Sequence, residues 1–184
     1  LELYALTTLS AVAYYQGQLH QSCNFAQEAL ELATLPSGQM LPSASWALKG
    51  LGYNNYEWND LASAEKHTQL AADLGPKWGD PIDMTGTFLL LSNIKIAKGD
   101  VTGAQHAFEK GEEVIQSHAV SSGLVNWVKS EKAFCWLRQE NLDAAVRWAR
   151  NSGMVPTDEI SLLRTSEYRT LARVYLATKE YEKA

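Results

Sequence analysis

Apolar and polar positions along this chain follow a helical period, and the whole pattern recurs about every 40 residues. The landmark of each cycle is an apolar side chain at the start of a helix: Leu19, Leu61, Val101, Leu142 and Tyr181, separated by 42, 40, 41 and 39 residues. Three residues after each landmark stands a small side chain: Ser22, Ala64, Ala104, Ala145 and Ala184. Seven after come Ala26, Thr68, Phe108 and Ala149, and ten after come Ala29, Ala71, Gly111 and Ser152. Five before are Tyr14, Tyr56, Ile96, Leu137 and Leu176; nine before are the small residues Ser10, Gly52, Ser92, Ala133 and Ala172. Small residues on one helix let its partner approach closely, and the larger residue five before the landmark fills the gap. No single hairpin buries such a face, so the stack is the stable unit.

Each cycle therefore predicts helix A, a tight turn, helix B and a looser loop. Gly17, Asn59 and Gly99 suit the left-handed residue that ends helix A, and Asp60, Asp100 and Asn141 stand where helix B needs a capping oxygen. Lys179 and Glu180 at these two positions make the last turn less well encoded. All five prolines (Pro36, Pro42, Pro76, Pro81, Pro156) are expected in B-to-A loops, with helix starts at Asp80-Pro81 and at Pro156-Thr157-Asp158. The expected fold is all-α: about nine helices in antiparallel hairpins, coiled as a right-handed superhelix of about 40-residue repeats. The expected organisation is a single domain over residues 1–184, with repeats near 1–35, 42–77, 81–118, 121–153 and 157–184. The chain opens inside a helical pattern without Met and closes on what reads as the first turn of another helix, so it is expected to be a fragment of a larger protein.

Charge changes the picture in one respect. Residues 1–92 carry 3 basic and 9 acidic side chains, net −6; residues 93–184 carry 13 and 12, net +1. Neither half carries the basic surface of a nucleic-acid binder, so any contact with DNA belongs to another domain. No stretch approaches the roughly 18 apolar residues of a membrane helix, and no signal-peptide pattern opens the chain. Cys23 and Cys135 lie in different repeats and lack any C-x-x-C or Cys/His spacing, which points to packing thiols and a reducing, cytoplasmic setting.

The pattern small–x–x–aromatic followed by Gly-Asp-apolar-x-x-Ala resembles tetratricopeptide repeats (TPRs), whose usual period is about 34. The six or so extra residues sit mainly in the B-to-A loops. HEAT and armadillo repeats, with periods of about 40–47, are the rival solenoids, but the alanine ladder on helix B favours the TPR type. Three stretches carry a sharper resemblance: Phe88-Leu89-Leu90-Leu91-Ser92-Asn93-Ile94 with Ala97-Lys98-Gly99-Asp100-Val101-Thr102-Gly103-Ala104; Trp136 through Ala149; and Arg164 through Ala177. They resemble the superhelical domain of MalT-like, LuxR-type transcriptional regulators. That resemblance implies the sensor region of an ATP-dependent regulator, binding a small-molecule effector or a regulatory protein or peptide. It also implies a nucleotide-binding module upstream and a helix-turn-helix DNA-binding domain downstream. No G-x-x-x-x-G-K-[ST] occurs here, so ATP belongs to the parent protein and no cofactor is expected in this chain. The alternative is a generic TPR protein-interaction scaffold unrelated to transcription.

Nothing in the residues argues for an enzyme. His20, His67, His106 and His118 form no pair at helical ligand spacing, so no metal site is expected. Glu112-Glu113 and Glu140/Asp143 read as solvated helix faces, and no nucleophile-elbow pattern occurs. The aromatics are the better candidates. Trp136 and Trp148 read as core, and Trp78 reads as a loop staple. Trp46 and Trp127 recur early in helix A, where they either pack between neighbouring A helices or stack on a ligand. Positions twelve and eight before the landmark share that face and bring in Lys49, Ser130 and Arg169, and Tyr53, Asn93 and Arg173. The expected inner-groove, ligand-binding set is thus Trp46, Lys49, Tyr53, Asn93, Trp127, Ser130, Arg169 and Arg173, with Arg169 and Arg173 making a cationic spot four residues apart.

Overall fold

The computed structural model describes every residue except Glu159, Ile160, Leu162, Leu163, Tyr181, Lys183 and Ala184. Among the described residues there are nine α-helices: α1 (Glu2–Tyr15), α2 (Leu19–Leu32), α3 (Ala44–Glu57), α4 (Leu61–Trp78), α5 (Pro81–Ala97), α6 (Val101–Ser117), α7 (Ser122–Arg138), α8 (Leu142–Asn151) and α9 (Thr165–Ala177). The only β pairing among them is an isolated bridge between Thr34 and Met40. The chain is all-α, built from antiparallel helical hairpins, as the repeat predicts. It forms two compact units, Leu1–Val114 and Ile115–Ala184. In the first, α1, α3 and α5 are the A helices, packed in sequence, with α2 and α4 as B partners, and Ser92 of α5 meets α6 at Ala104; in the second, α7 packs on both α8 and α9. The expected fifth helix B, with Tyr181 and Ala184 as its landmarks, lies outside the described residues.

One turn geometry ends helix A in every repeat. The second residue beyond the helix end has positive φ: Gly17 (75°), Asn59 (59°), Gly99 (79°), Glu140 (60°) and Lys179 (64°). The next residue donates its backbone N–H five residues back: Gln18 to Ala13, Asp60 to Asn55, Asp100 to Lys95, Asn141 to Trp136 and Glu180 to Tyr175. The residue at positive φ itself donates three residues back. This is the Schellman ending, which satisfies carbonyls the helix leaves unpaired. Asp60, Asp100 and Asn141 then cap helix B, accepting from Ser63, Gly103 and Ala144 at 3.1, 2.8 and 3.3 Å. Glu140 and Lys179 adopt the left-handed conformation without glycine's freedom, at a cost of roughly 1–2 kcal/mol each. Glu140→Gly relieves that strain while adding freedom to the unfolded chain, so a net gain of about 0.5–1 kcal/mol is expected in urea denaturation; an unchanged midpoint would contradict it.

Two sequence expectations are corrected. Pro76 is inside α4, not in a loop. Helix B of the second repeat runs on to Trp78 and stops at Gly79 (φ 79°), leaving only Gly79-Asp80 before Pro81 opens α5. Burial of Gly75, whose missing side chain leaves room for Met84, keeps that extra turn packed. Pro156-Thr157-Asp158 is likewise a turn and not a helix start. Asp158 accepts from the Val155 N–H at 2.9 Å, and α9 begins only at Thr165.

The small residues sit where A and B helices meet. Ser22, Ala64, Ala104 and Ala145 are buried, and so are Ser10, Gly52, Ser92 and Ala133 on the facing A helices. Ser10 donates its hydroxyl to the Ser22 carbonyl, and Ser92 repeats the contact on the Ala104 carbonyl, both at 2.9 Å. The Asn54 amide extends this polar seam by donating to Ser22 Oγ at 2.9 Å. His67 on α4 faces α3, where the Asn55 amide and His67 Nδ1 lie 2.9 Å apart. Burial first, and then Lys66, hold the His67 imidazole below its ordinary value of 6.5, outweighing Asp60. The unfolded chain therefore takes up the proton first as the pH falls through about 6.5, and stability falls with it until the folded-state value is passed. His67→Gln is expected to flatten the stability profile between about pH 7 and 5, measured by urea denaturation; an unchanged slope would rule His67 out as the source.

Candidate ligand-binding surfaces

In the first unit, the A-helix face is rich in aromatic rings and one buried charge pair. The Trp46 ring on α3 is held between Tyr4 of α1 (centroids 5.5 Å) and Trp78 at the end of α4 (5.6 Å, edge-on). One turn further along α3, the Lys49 ammonium lies 2.5 Å from Asp83 Oδ1, and the Ser45 hydroxyl donates to Asp83 Oδ2 at 2.8 Å. The Asp83 side chain is 1% exposed and that of Lys49 23%. Asp83 stands in the first turn of α5, where the helix dipole favours a carboxylate. Beyond it the Tyr53 ring meets Tyr14 at 5.4 Å, and the Tyr14 hydroxyl donates to Glu57 at 2.6 Å. Asn93 is half-buried on α5. On the α4–α5 side, Glu65 pairs with Lys95 and Lys98, and hydrogen bonds from those two ammonium groups hold its carboxyl below the usual range.

In the second unit, Arg169 and Arg173 are exposed along α9. The Arg173 guanidinium sits 4.5 Å over the Phe134 ring, a cation–π contact, and Arg169 donates to Ser166 Oγ at 3.3 Å. Trp127 is half-buried on α7. A separate feature of this unit is an open cleft of about 420 Å³ along the α7–α8 seam. Lys129, Lys132 and Trp136 of α7 line it, facing Arg147, Trp148 and Asn151 of α8, with Glu167 of α9 alongside. The cleft runs along α8 from Ala144 to Ser152; α8 has 10 residues, whereas α7 has 17.

Known proteins place the whole chain. A family model described as a MalT-like TPR region matches residues 1–184. The chain belongs to this MalT-like TPR family. No curated protein matches it. A crystal structure of BtubC (BKLC) from P. vanneervenii is similar to this MalT-like region, with a TM-score of 0.64. The likeness covers 97% of this chain and 74% of that one at 17% identity, and so speaks to fold alone.

Within this MalT-like TPR region the eight sequence-predicted site residues fall four to each unit: Trp46, Lys49, Tyr53 and Asn93 in the first, Trp127, Ser130, Arg169 and Arg173 in the second. Lys49 is engaged by Asp83, and Trp46 by its two ring neighbours, the packing outcome for that tryptophan. Ser130 is fully buried and donates to the Trp127 carbonyl at 2.8 Å, so it adds no surface to a groove. Trp78 is the last residue of α4, not a loop residue, and it staples onto Trp46. Trp136 and Trp148, expected as core, are only half-buried because they line the cleft. Both cysteines are free, Cys135 buried and Cys23 partly so, and burial pushes the Cys23 thiol up. Among the described residues no His/Cys/Asp/Glu group is arranged to hold a metal ion, and no helix is long and apolar enough to cross a membrane.

Proposed function

We propose that this chain is the effector-sensing repeat region of an ATP-dependent, MalT-like transcriptional regulator in the cytoplasm. It is a binding module and not an enzyme, and it reaches ATP and DNA only through other domains of its parent. The family match across all 184 residues carries this reading. The A-helix registers support it unit by unit: Tyr53 and Asn93 share one register position in the first unit, and Trp127 of α7 accompanies the exposed Arg169 and Arg173 of α9 in the second, aromatic and polar groups suited to a small polar effector or a peptide.

The coding sequence on either side is the first test. A nucleotide-binding module upstream and a helix-turn-helix downstream are expected; their absence would overturn the regulatory reading in favour of an ordinary TPR scaffold. In the parent protein, Trp127→Ala and Arg173→Ala are expected to weaken the effector response in a transcription assay. A wild-type response in both variants would remove the A-helix face as the sensing surface.

A further inference from the structure

We infer that the outer face of α1 is a docking surface for a further helical hairpin of the same repeat, carried in the parent polypeptide ahead of Leu1, whose A–B seam closes over Ala5, Thr8, Leu9 and Val12. The stack already makes this contact twice. α3 packs on both α1 and α2, and α5 packs on both α3 and α4, so each of these A helices sits in the seam of the hairpin before it. α1 packs on its own partner α2 and on α3, the A helix after it.

The repeat register identifies the positions that meet a preceding hairpin. Eleven residues before the landmark stand Thr8, Gly50 and Leu90; seven before stand Val12, Asn54 and Ile94. A Cβ at Gly50 would lie 3.3 Å from Ser10 Oγ and 3.4 Å from Ala26 Cβ, and the Asn54 amide donates to Ser22 Oγ. Both residues of α3 therefore face the α1–α2 seam. Leu90 and Ile94 of α5 pack with Ala64 of α4, against Tyr53 and Tyr56 of α3. Fourteen before the landmark, Ala47 packs with Leu6 and Ala29 of the first hairpin, and its counterpart Thr87 is buried. Ten before, Leu51 and Leu91 are buried as well.

On α1 the same four positions, Ala5, Thr8, Leu9 and Val12, are all exposed. They are spaced i, i+3, i+4 and i+7, so they form one helix face. Leu9 is 46% exposed and Val12 47%, against 3% for Leu51 and 0% for Ile94. The face also lacks the charge that a solvated helix face carries. Glu2 is the only charged side chain of α1, and no Asp, Glu, Lys or Arg occurs from Leu3 to Gln27. What fits this strip is the seam that α1 and α2 offer to α3, with small residues such as Ser22 and Ala26 that admit a close approach. A second copy of the chain does not supply it from this unit, because its α1–α2 and α3–α4 seams are already filled by α3 and α5. The inference does not depend on what the repeats bind, so it and the effector-sensing reading stand or fall separately.

The coding sequence gives one half of the test. An apolar landmark is expected about 40 residues upstream of Leu19, with a small residue three after it and another nine before it. The other half is maleimide labelling of single cysteines in the parent protein, followed peptide by peptide by mass spectrometry. Thr8→Cys and Val12→Cys are the probes, and Gln27→Cys, at an exposed position of α2, is the control. The probes are expected to react at least about tenfold more slowly than the control, with no change on about hundredfold dilution. Labelling at the control rate would overturn the inference. Protection lost on dilution would assign the face to a second copy, and protection without an upstream repeat would assign it to a different domain; either result sinks the hairpin.

Discussion

Lys49→Met is expected to destabilise the Leu1–Val114 unit by roughly 2–4 kcal/mol in urea denaturation. The variant keeps the length and apolar stem of the side chain but removes the ammonium 2.5 Å from Asp83. What remains is a carboxylate almost sealed from water, held by the Ser45 hydroxyl and the first turn of α5. Breaking a fully buried pair from one side costs about 3–5 kcal/mol, and the partial exposure of Lys49 lowers that figure. The control lies in the partner. Asp83→Asn removes the charge while its amide oxygen still accepts from Ser45, so Lys49→Met/Asp83→Asn is expected to recover more than half of the loss. A double variant no more stable than Lys49→Met would show that the ion pair is not the cause.

Gly52→Ala produces the second large effect, although alanine is the better helix former by about 1 kcal/mol. A methyl group at Gly52 would stand 2.3 Å from Thr68 Oγ1 and 3.2 Å from Leu90 Cδ2. Thr68 is fully buried on α4 and β-branched, so it has little freedom to turn aside. A net loss of roughly 1–3 kcal/mol is expected as α3 and α4 are pushed apart. Thr68→Ala removes the clashing hydroxyl and leaves the Thr68 Cβ position at an ordinary 3.5 Å from the new methyl. The Gly52→Ala/Thr68→Ala pair should therefore be markedly more stable than Gly52→Ala alone. If the single variant matches the parent, the close approach of α3 and α4 is wrong.

What was legible in the sequence is what repetition encodes. The landmarks at Leu19, Leu61, Val101 and Leu142 each open a helix, and the small residues three beyond them are buried. Features confined to one repeat were harder to read. Pro76 beside Gly75 spells a loop locally, yet packing of the α4 end carries the helix through it. Glu140 and Lys179 hold a backbone conformation that neither favours alone, because the flanking helices impose the turn. Lys49 was visible as a polar residue on an apolar face, but its partner Asp83 lies 34 positions away and no local pattern joins them. Trp136 and Trp148 read as core from the helical period, yet both are half-buried and line the α7–α8 cleft.

The Lys49–Asp83 pair also bears on how hairpins find their neighbours as the chain leaves the ribosome. Hairpins built on one template are interchangeable to a first approximation, and out-of-order docking is a characteristic failure of repeat proteins. Positions equivalent to Lys49 hold Thr7, Leu89, Ser130 and Arg169; positions equivalent to Asp83 hold Leu1, Ser43, Leu124 and Leu163. A third hairpin docked against the first would bury Asp83 opposite Thr7, without a cation. The pair therefore works as an address: it marks the second and third hairpins as mates and makes the shuffled order costly while the rest of the chain is still being made.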